Sequence, residues 1–384
     1  MVSLAGRVVR ATGEPARTSA RSGGHSRRMK GMDAADEPDR ARMIEGDCLA
    51  VLPDLAPASV DSIVTDPPYG LEFMGKDWDR GVPGVRFWSA ALGVLKPGRY
   101  ALVMGSPRTY HRLACAVEDA GFQVRDCLMW LYGSGFPKGR GCLKPAWEPI
   151  LLARRPGPRV LPLGIDACRI PGRWTTWRRR DGSIAEGRDD ESANCYGDGM
   201  GAVRNPEHPG GRWPANVVHD GSAEVLDRFA EFGEKTSGEP CGTRAARFAF
   251  GTSAENGTAL TGYGDTGTAD RFFYCAKATR EDREEGLPGR NPHPTVKPVA
   301  LMRWLIRSVT PAGGLVLDPF AGSGSTGKAA VIEGARFLGI ERDPTYCDLA
   351  RRRIAAARPD CPLYVGLDAA ADPAEDCPLF AGLD

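Results

Sequence analysis

The sequence predicts an α/β fold built on a mostly parallel, doubly wound sheet, and three observations carry that prediction. Short β-branched runs, of which Val60-Asp61-Ser62-Ile63-Val64-Thr65 is the clearest, alternate with amphipathic helical stretches at 87–95, 299–309 and 344–357. That first run stops against Asp66-Pro67-Pro68-Tyr69, because neither proline can donate an N–H to a strand ladder. A second apolar run, Gly314 to Asp318, passes into the glycine-rich turn Pro319 to Gly327 and then into a helix. Ligands of such sheets bind outside the carboxyl ends of the strands, so both turns are expected to face a cleft.

Taken in order, residues 1–40 are rich in Arg, Gly and Ser without apolar periodicity, and the expectation is a disordered arm. An organellar leader, a true start at Met29 or Met32, and a basic arm on phosphates are the readings it leaves open. Residues 43–57 give a short strand, Asp47 and a helical Cys48 to Leu52 before Pro53. The strand at 60–65 follows, and then Leu71 to Gly84, whose aromatic, glycine and charged residues suit a mobile loop over a cleft or an ordinary surface loop. A helix at 87–95 closes at Lys96-Pro97-Gly98, a strand covers 100–104, a helix covers 110–120 up to Gly121, and a strand covers 122–132. The loop after it carries Phe136 and Lys138, either as a face toward a base or phosphate or as a plain hairpin turn. Prolines mark 150–153 as an edge strand.

From Arg154-Arg155-Pro156 to about residue 270 glycine is abundant and periodicity poor. Basic and aromatic residues interleave in Arg173-Trp174-Thr175-Thr176-Trp177-Arg178-Arg179, a mixture that suits DNA, since Arg reaches phosphates and guanine edges while rings stack or wedge. A solvated basic face beside a small aromatic cluster uses the same residues. Asp181 to Gly211 reads as flexible, Arg212 to Asp220 returns to a strand-like pattern, and Phe272 to Cys275 is a strand. After the helix at 299–309 and the glycine turn, Phe337 to Glu341 is a strand ending in an acid about twenty residues past the glycines, where this fold sets a carboxylate on ribose hydroxyls.

With 384 residues and 42% hydrophobic content the chain can bury a full core. No stretch approaches the roughly 20 apolar residues of a membrane span. The net charge is only +1, so a nucleic acid has to be met by a local basic patch. Eleven cysteines without a Cys-x-x-Cys pair suggest reduced thiols in the cytoplasm, and no ligand spacing points to a metal.

The Asp-Pro-Pro-Tyr tetrapeptide, the Asp318-Pro-Phe-Ala-Gly-Ser-Gly324 turn, Glu45-Gly-Asp-Cys48 and His293-Pro-Thr-Val-Lys-Pro298 together resemble the motifs of S-adenosylmethionine-dependent DNA amino-methyltransferases. With the catalytic motif first and the cofactor turn last, the order is similar to the permuted β class. The resemblance covers 41–155 and 270–357. It implies a Rossmann-like methyltransferase fold with a disordered arm at 1–40, a catalytic half at 41–155, a target-recognition insertion at 156–270, a cofactor half at 271–358 and a tail at 359–384. The cofactor it implies is S-adenosyl-L-methionine, held by Asp47, Cys48, His293, Thr295, Lys297, Asp318, Phe320, Gly322, Ser323, Gly324, Thr326, Glu341 and Arg342. Asp66, Pro67, Pro68 and Tyr69 take the catalytic roles. Asp66 and a proline carbonyl accept the amine protons, and Tyr69 stacks on a flipped base. Lys138, Arg173, Trp174, Trp177, Arg178 and Arg179 are the candidate DNA contacts.

The implied partner is double-stranded DNA, with a homodimer and a cognate restriction endonuclease also open. An Asp at the head of the tetrapeptide resembles adenine N6 enzymes more often than cytosine N4 enzymes. A non-DNA methyltransferase and a catalytically dead DNA-binding module are the alternatives. Ring-carbon methylation fits poorly, because Pro240-Cys241 lacks that chemistry's Glu-Asn-Val partner. The tail repeats Asp-Cys-Pro-Leu at 360–363 and 376–379, which reads as a duplicated tail without function or, through Leu379-Phe380, as similar to a peptide that docks on a sliding clamp.

Overall fold

The computed structural model describes residues 40–72, 75, 79–137, 140–172, 210–236, 265–277 and 279–359, and the backbone alone of 175–179 and 202–207. The first part of the chain gives β1 (Ala41–Glu45), α1 (Cys48–Val51), β2 (Val60–Thr65), α2 (Val85–Val94), β3 (Leu95–Met104), α3 (Tyr110–Asp119), β4 (Gln123–Leu131) and β5 (Trp147–Arg154). The middle gives β6 (Thr175–Arg179), β7 (Ala202–Glu207), β8 (Val217–His219), α4 (Ala223–Ala230), β9 (Lys235–Thr236), β10 (Thr266–Gly267) and β11 (Tyr274–Cys275). The last part gives α5 (Arg280–Glu284), α6 (Val299–Val309), β12 (Leu315–Asp318), α7 (Ser325–Ile332), β13 (Arg336–Glu341) and α8 (Pro344–Ala356).

Nine strands form one sheet in the order β1-β13-β12-β2-β3-β5-β4-β8-β11. All point the same way except β5, which is antiparallel to both β3 and β4. The two strands that end in the sequence's turns are neighbours, with Val316 opposite Ser62 and Leu317 opposite Ile63. From β2 the sheet grows outward to β3, and from β12 it grows the other way to β13. The β2/β12 boundary is therefore a topological switch point, where a crevice opens at the carboxyl ends.

Period-2 alternation explains the two cores. On β3, Tyr100, Leu102 and Met104 face one side and pack with Val299, Leu301, Met302, Trp304, Leu305 and Ile306 of α6. Ala101 and Val103 face the other side and meet Phe87, Trp88 and Ala91 of α2 and Leu113 and Val117 of α3. Each face of the sheet is thus buried under helices, as a doubly wound sheet requires. Removing one such side chain, as in Leu102→Ala, costs about 2 to 5 kcal/mol.

Most elements match the sequence reading, α6 to the residue. One does not. The strand at 150–153 is central, not an edge, and Ile150 and Leu151 are fully buried. The prolines are accommodated because β3 pairs with β5 only from Ile150 onward, so Pro149, which has no N–H to give, sits one residue past the last β3 pair. Its carbonyl still accepts from the Gly105 N–H at 2.9 Å.

Two further differences concern the middle. Thr175–Arg179 and Ala202–Glu207 pair as an antiparallel hairpin, where no periodicity announced one. Val217–His219 joins β4 of the main sheet, so the stretch expected as an insertion lends the sheet a strand. The arm at 1–39, both copies of the tail repeat and the clamp-like Leu379-Phe380 lie outside the described residues. No helix among the described residues is long and apolar enough to cross a membrane.

Candidate active site

A cavity of about 890 Å³ opens at the carboxyl ends of β1, β2, β12 and β13. Asp66 and Pro68 line it from the end of β2, and Asp318, Phe320, Gly322, Ser323 and Thr326 from the turn between β12 and α7. Glu341 and Arg342 close it after β13, Asp47 and Cys48 after β1, and His293, Thr295 and Lys297 before α6. Gly81 to Phe87 complete the wall, so the loop expected over a cleft does border one.

The glycine turn works by close approach. Gly322 has φ +51°, and a Cβ there would meet His293 Nε2 at 3.0 Å. Gly324 has φ +79° and would meet Ala350 at 2.9 Å. It is outside the cavity wall and serves to seat α7 against α8. Asp318 is an internal brace: its Oδ1 accepts from the Thr65 hydroxyl at 2.7 Å and its Oδ2 from the Thr326 hydroxyl at 2.6 Å. Burial pushes its pKa up to about 6, against the lowering effect of those bonds. The brace ties β2 to β12 and to the start of α7.

Glu341 accepts from the Gly322 N–H and the Asp343 N–H, each at 2.8 Å, and burial raises its pKa. Asp47 caps α1 by accepting from the Leu49 N–H at 2.8 Å. Burial and the neighbouring Asp47 push the Cys48 thiol up to about 12, so it stays protonated. His293 Nδ1 accepts from the Thr295 N–H at 3.3 Å, and burial lowers its pKa to about 4, which keeps the ring neutral.

Around Asp66 the geometry is tighter. The Tyr69 hydroxyl sits between two carboxylates, 2.6 Å from Asp66 Oδ1 and 2.9 Å from Glu148 Oε2, with one proton to give to either. Lys297 Nζ donates to Asp66 Oδ2 at 2.6 Å and lies 5.3 Å from the centre of the Tyr69 ring. Burial, then the Asp66 and Glu148 charges, raise the Tyr69 pKa. Pro67 is buried, while Asp66 and Tyr69 are half-buried. Thr109 donates its hydroxyl to the Tyr69 carbonyl at 2.7 Å.

Sequence reasoning missed three groups here. Asp79, 2% exposed, accepts from the N–H groups of Tyr69 at 2.7 Å, Gly70 at 2.8 Å and Leu71 at 3.1 Å, fixing the tetrapeptide's exit. Glu148 enters from the start of β5. Arg353, fully buried, donates to the Ser323 carbonyl at 2.5 Å and supports the glycine turn from beneath. Asp79 and Arg353 gave no signal, being an acid in an unpatterned loop and a basic residue in a helix rich in them. Of the candidate DNA contacts, Lys138, Arg173 and Trp174 lie outside the described residues, and for Trp177, Arg178 and Arg179 only the backbone of β6 is described. No cluster of His, Cys, Asp and Glu among the described residues could hold a metal.

Comparison with known proteins fits this arrangement. Over 70 residues the chain is 47% identical to YubD, a provisionally named methylase of Escherichia coli (strain K12), covering 18% of this chain and 31% of that protein. Over 82 residues it is 37% identical to the type II methyltransferase M.HinfI of Haemophilus influenzae, covering 21% of this chain and 23% of that one. The match thus spans a third or less of either relative. Among solved structures, the M1.HpyAVI–SAM complex aligns with a TM-score of 0.41 at 18% identity, over 82% of this chain and 98% of that one. Residues 60–352, which run from β2 into α8, match the N6/N4 methyltransferase family model, described as DNA methylase, and the chain belongs to that family.

Proposed function

We propose that this chain methylates an exocyclic amine of a flipped base in double-stranded DNA, with S-adenosylmethionine as donor and adenine N6 as the preferred target. One observation carries the reading. The Asp66 carboxylate opens into the same cavity as the Glu341 carboxylate and the glycine turn, so an amine acceptor and a nucleoside-sized site share one space.

The residues present fit the cofactor. Asp47 and Glu341 each keep acceptor capacity for hydroxyls or an amine beyond the backbone N–H groups they already bind. Phe320 offers an apolar face, and the close approach at Gly322 leaves space that a side chain would fill. Bound there, S-adenosylmethionine supplies an electrophilic methyl group. The chain's own work is positioning. An aromatic amine has its lone pair drawn into the ring, and Asp66 with a carbonyl of Pro67 or Pro68 would accept both N–H groups and turn the lone pair out of the plane. Tyr69, released from Asp66, would stack on the base and offset part of the few kcal/mol spent in flipping it. The segment between β5 and β11 would carry sequence recognition.

The test is transfer of labelled methyl from S-adenosylmethionine to unmethylated duplex DNA, with nucleoside analysis and Asp66→Ala as control. N6-methyladenine that vanishes in the control supports the full reading. N4-methylcytosine keeps the mechanism and changes the base. Cofactor binding without any DNA product overturns DNA as the substrate.

A further inference from the structure

Two half-buried charges beside Asp66 have no task in the chemistry above. Lys297 Nζ lies 2.6 Å from Asp66 Oδ2 and 3.5 Å from Glu148 Oε2, and it shares the cavity wall with Asp66. Glu148 stands behind them, outside the wall, and also takes the Tyr69 hydroxyl at 2.9 Å. Burial pulls the Lys297 pKa down, but Asp66 and Glu148 outweigh it and hold it above the usual lysine range. An ion pair largely withdrawn from water adds little to stability, since desolvation offsets much of its attraction. Its presence at the reacting carboxylate calls for a chemical reason.

The edge of the target base supplies one. In adenine and in cytosine the exocyclic amine, a donor, stands next to a ring nitrogen that is an acceptor. Flipping strips both of their pairing partners, and flipped bases are read along that same edge. Asp66 can only accept and Lys297 can only donate. Side by side at 2.6 Å, they repeat the acceptor and donor order that the lost partner base presented. Guanine and thymine offer the reverse, a carbonyl oxygen beside an N–H. They would set oxygen against carboxylate and N–H against ammonium, a mismatch that rejects them.

We propose that Lys297 is the base-positioning residue of this site, its ammonium donating to the ring nitrogen beside the amine that Asp66 accepts from, with Glu148 holding the displaced ammonium in place. The inference rests on the methyltransferase reading and deepens it: the pocket selects amino bases as a class, and the rest of the chain selects the sequence. Lys297 keeps all its protons throughout. The incoming amine takes Asp66 over from Lys297, and Glu148 keeps the ammonium paired while it turns toward the ring.

The test uses the full chain, S-adenosylmethionine, and a duplex carrying a site at which the chain's own methylation has first been mapped. At the target position the natural base is replaced by 1-deazaadenine or, for a cytosine target, 3-deazacytosine, each of which keeps the amine and lacks the ring acceptor. Single-turnover methylation by the wild type is expected to fall roughly 10- to 100-fold on the analogue. Lys297→Met, slower on the natural base, is expected to treat the two alike. Equal wild-type rates on base and analogue overturn the proposal, as does an undiminished analogue penalty in Lys297→Met. Lys297→Gln, which keeps an uncharged donor, replaces the Met variant if that fails to fold and is expected to retain part of the penalty. A wild type that methylates no natural DNA brings down the methyltransferase reading itself, a result distinct from either of these.

Discussion

The two sides of the sheet reach the same site in opposite senses. On the side of β1, β13, β12 and β2, every strand delivers its functional group at its carboxyl end: Asp47 after β1, Glu341 on β13, Asp318 on β12, Asp66 after β2. On the other side β5 is reversed, so Glu148 arrives at the same edge from the start of its strand. Parallel strands make a site predictable because each one ends where the ligand sits. A single reversed strand adds a residue to that site by the opposite rule.

The comparison can be broken or sharpened by mutation. Asp66→Ala removes the proposed amine acceptor at a strand end, and methyl transfer is expected to fall on the order of 10³-fold with cofactor binding kept, as read by single-turnover rate and by titration. Glu148→Gln probes the reversed strand. If it belongs to the site, kcat falls roughly 10- to 100-fold with little change in melting temperature, whereas a purely structural Glu148 would shift the melting temperature and spare the rate. Gly324→Ala strains the left-handed turn that seats α7, and a stability loss of about 2 kcal/mol is expected in denaturant unfolding.

His293 gives a pH test on the cofactor side. Its folded pKa, about 4, lies below the 6.5 of an exposed histidine. The unfolded chain therefore binds a proton between those values that the folded chain does not. Stability from this source is complete above pH 6.5 and is lost as pH falls toward 4. His293→Asn is expected to flatten that slope by roughly 1 to 3 kcal/mol in unfolding followed across pH. On the far side, Phe136 is 81% exposed, and Phe136→Ala should change stability by less than about 0.5 kcal/mol. Weaker DNA binding by that variant then reports a direct contact.

Legibility follows the same divide. The apolar run at 60–65 and its proline stop read directly as a strand and a rigid turn, and the glycine turn read as a close approach, because both signals are local. Glu148 stayed hidden because the direction of β5 depends on its neighbours, and the prolines beside it imitated an edge. Lys297 reads from its motif as a cofactor residue and does line the cavity, but its bond to Asp66, a partner 231 positions away, has no local signal. Asp79 takes three backbone N–H groups that converge only after the turn has formed.

The switch point at β2 and β12 also bears on how the chain is made. Val60–Thr65 leaves the ribosome early, but its neighbour Leu315–Asp318 is synthesised some 250 residues later, as the Leu315 N–H bond to Asp61 across 254 positions records. Contacts of such sequence separation form slowly, and until they do an apolar strand edge is open to other chains. A nascent chain arrested before residue 315 is therefore expected to aggregate or to engage chaperones. It would also lack the cavity, because Asp66, Asp318 and Glu341 come together only when the last strands close the sheet.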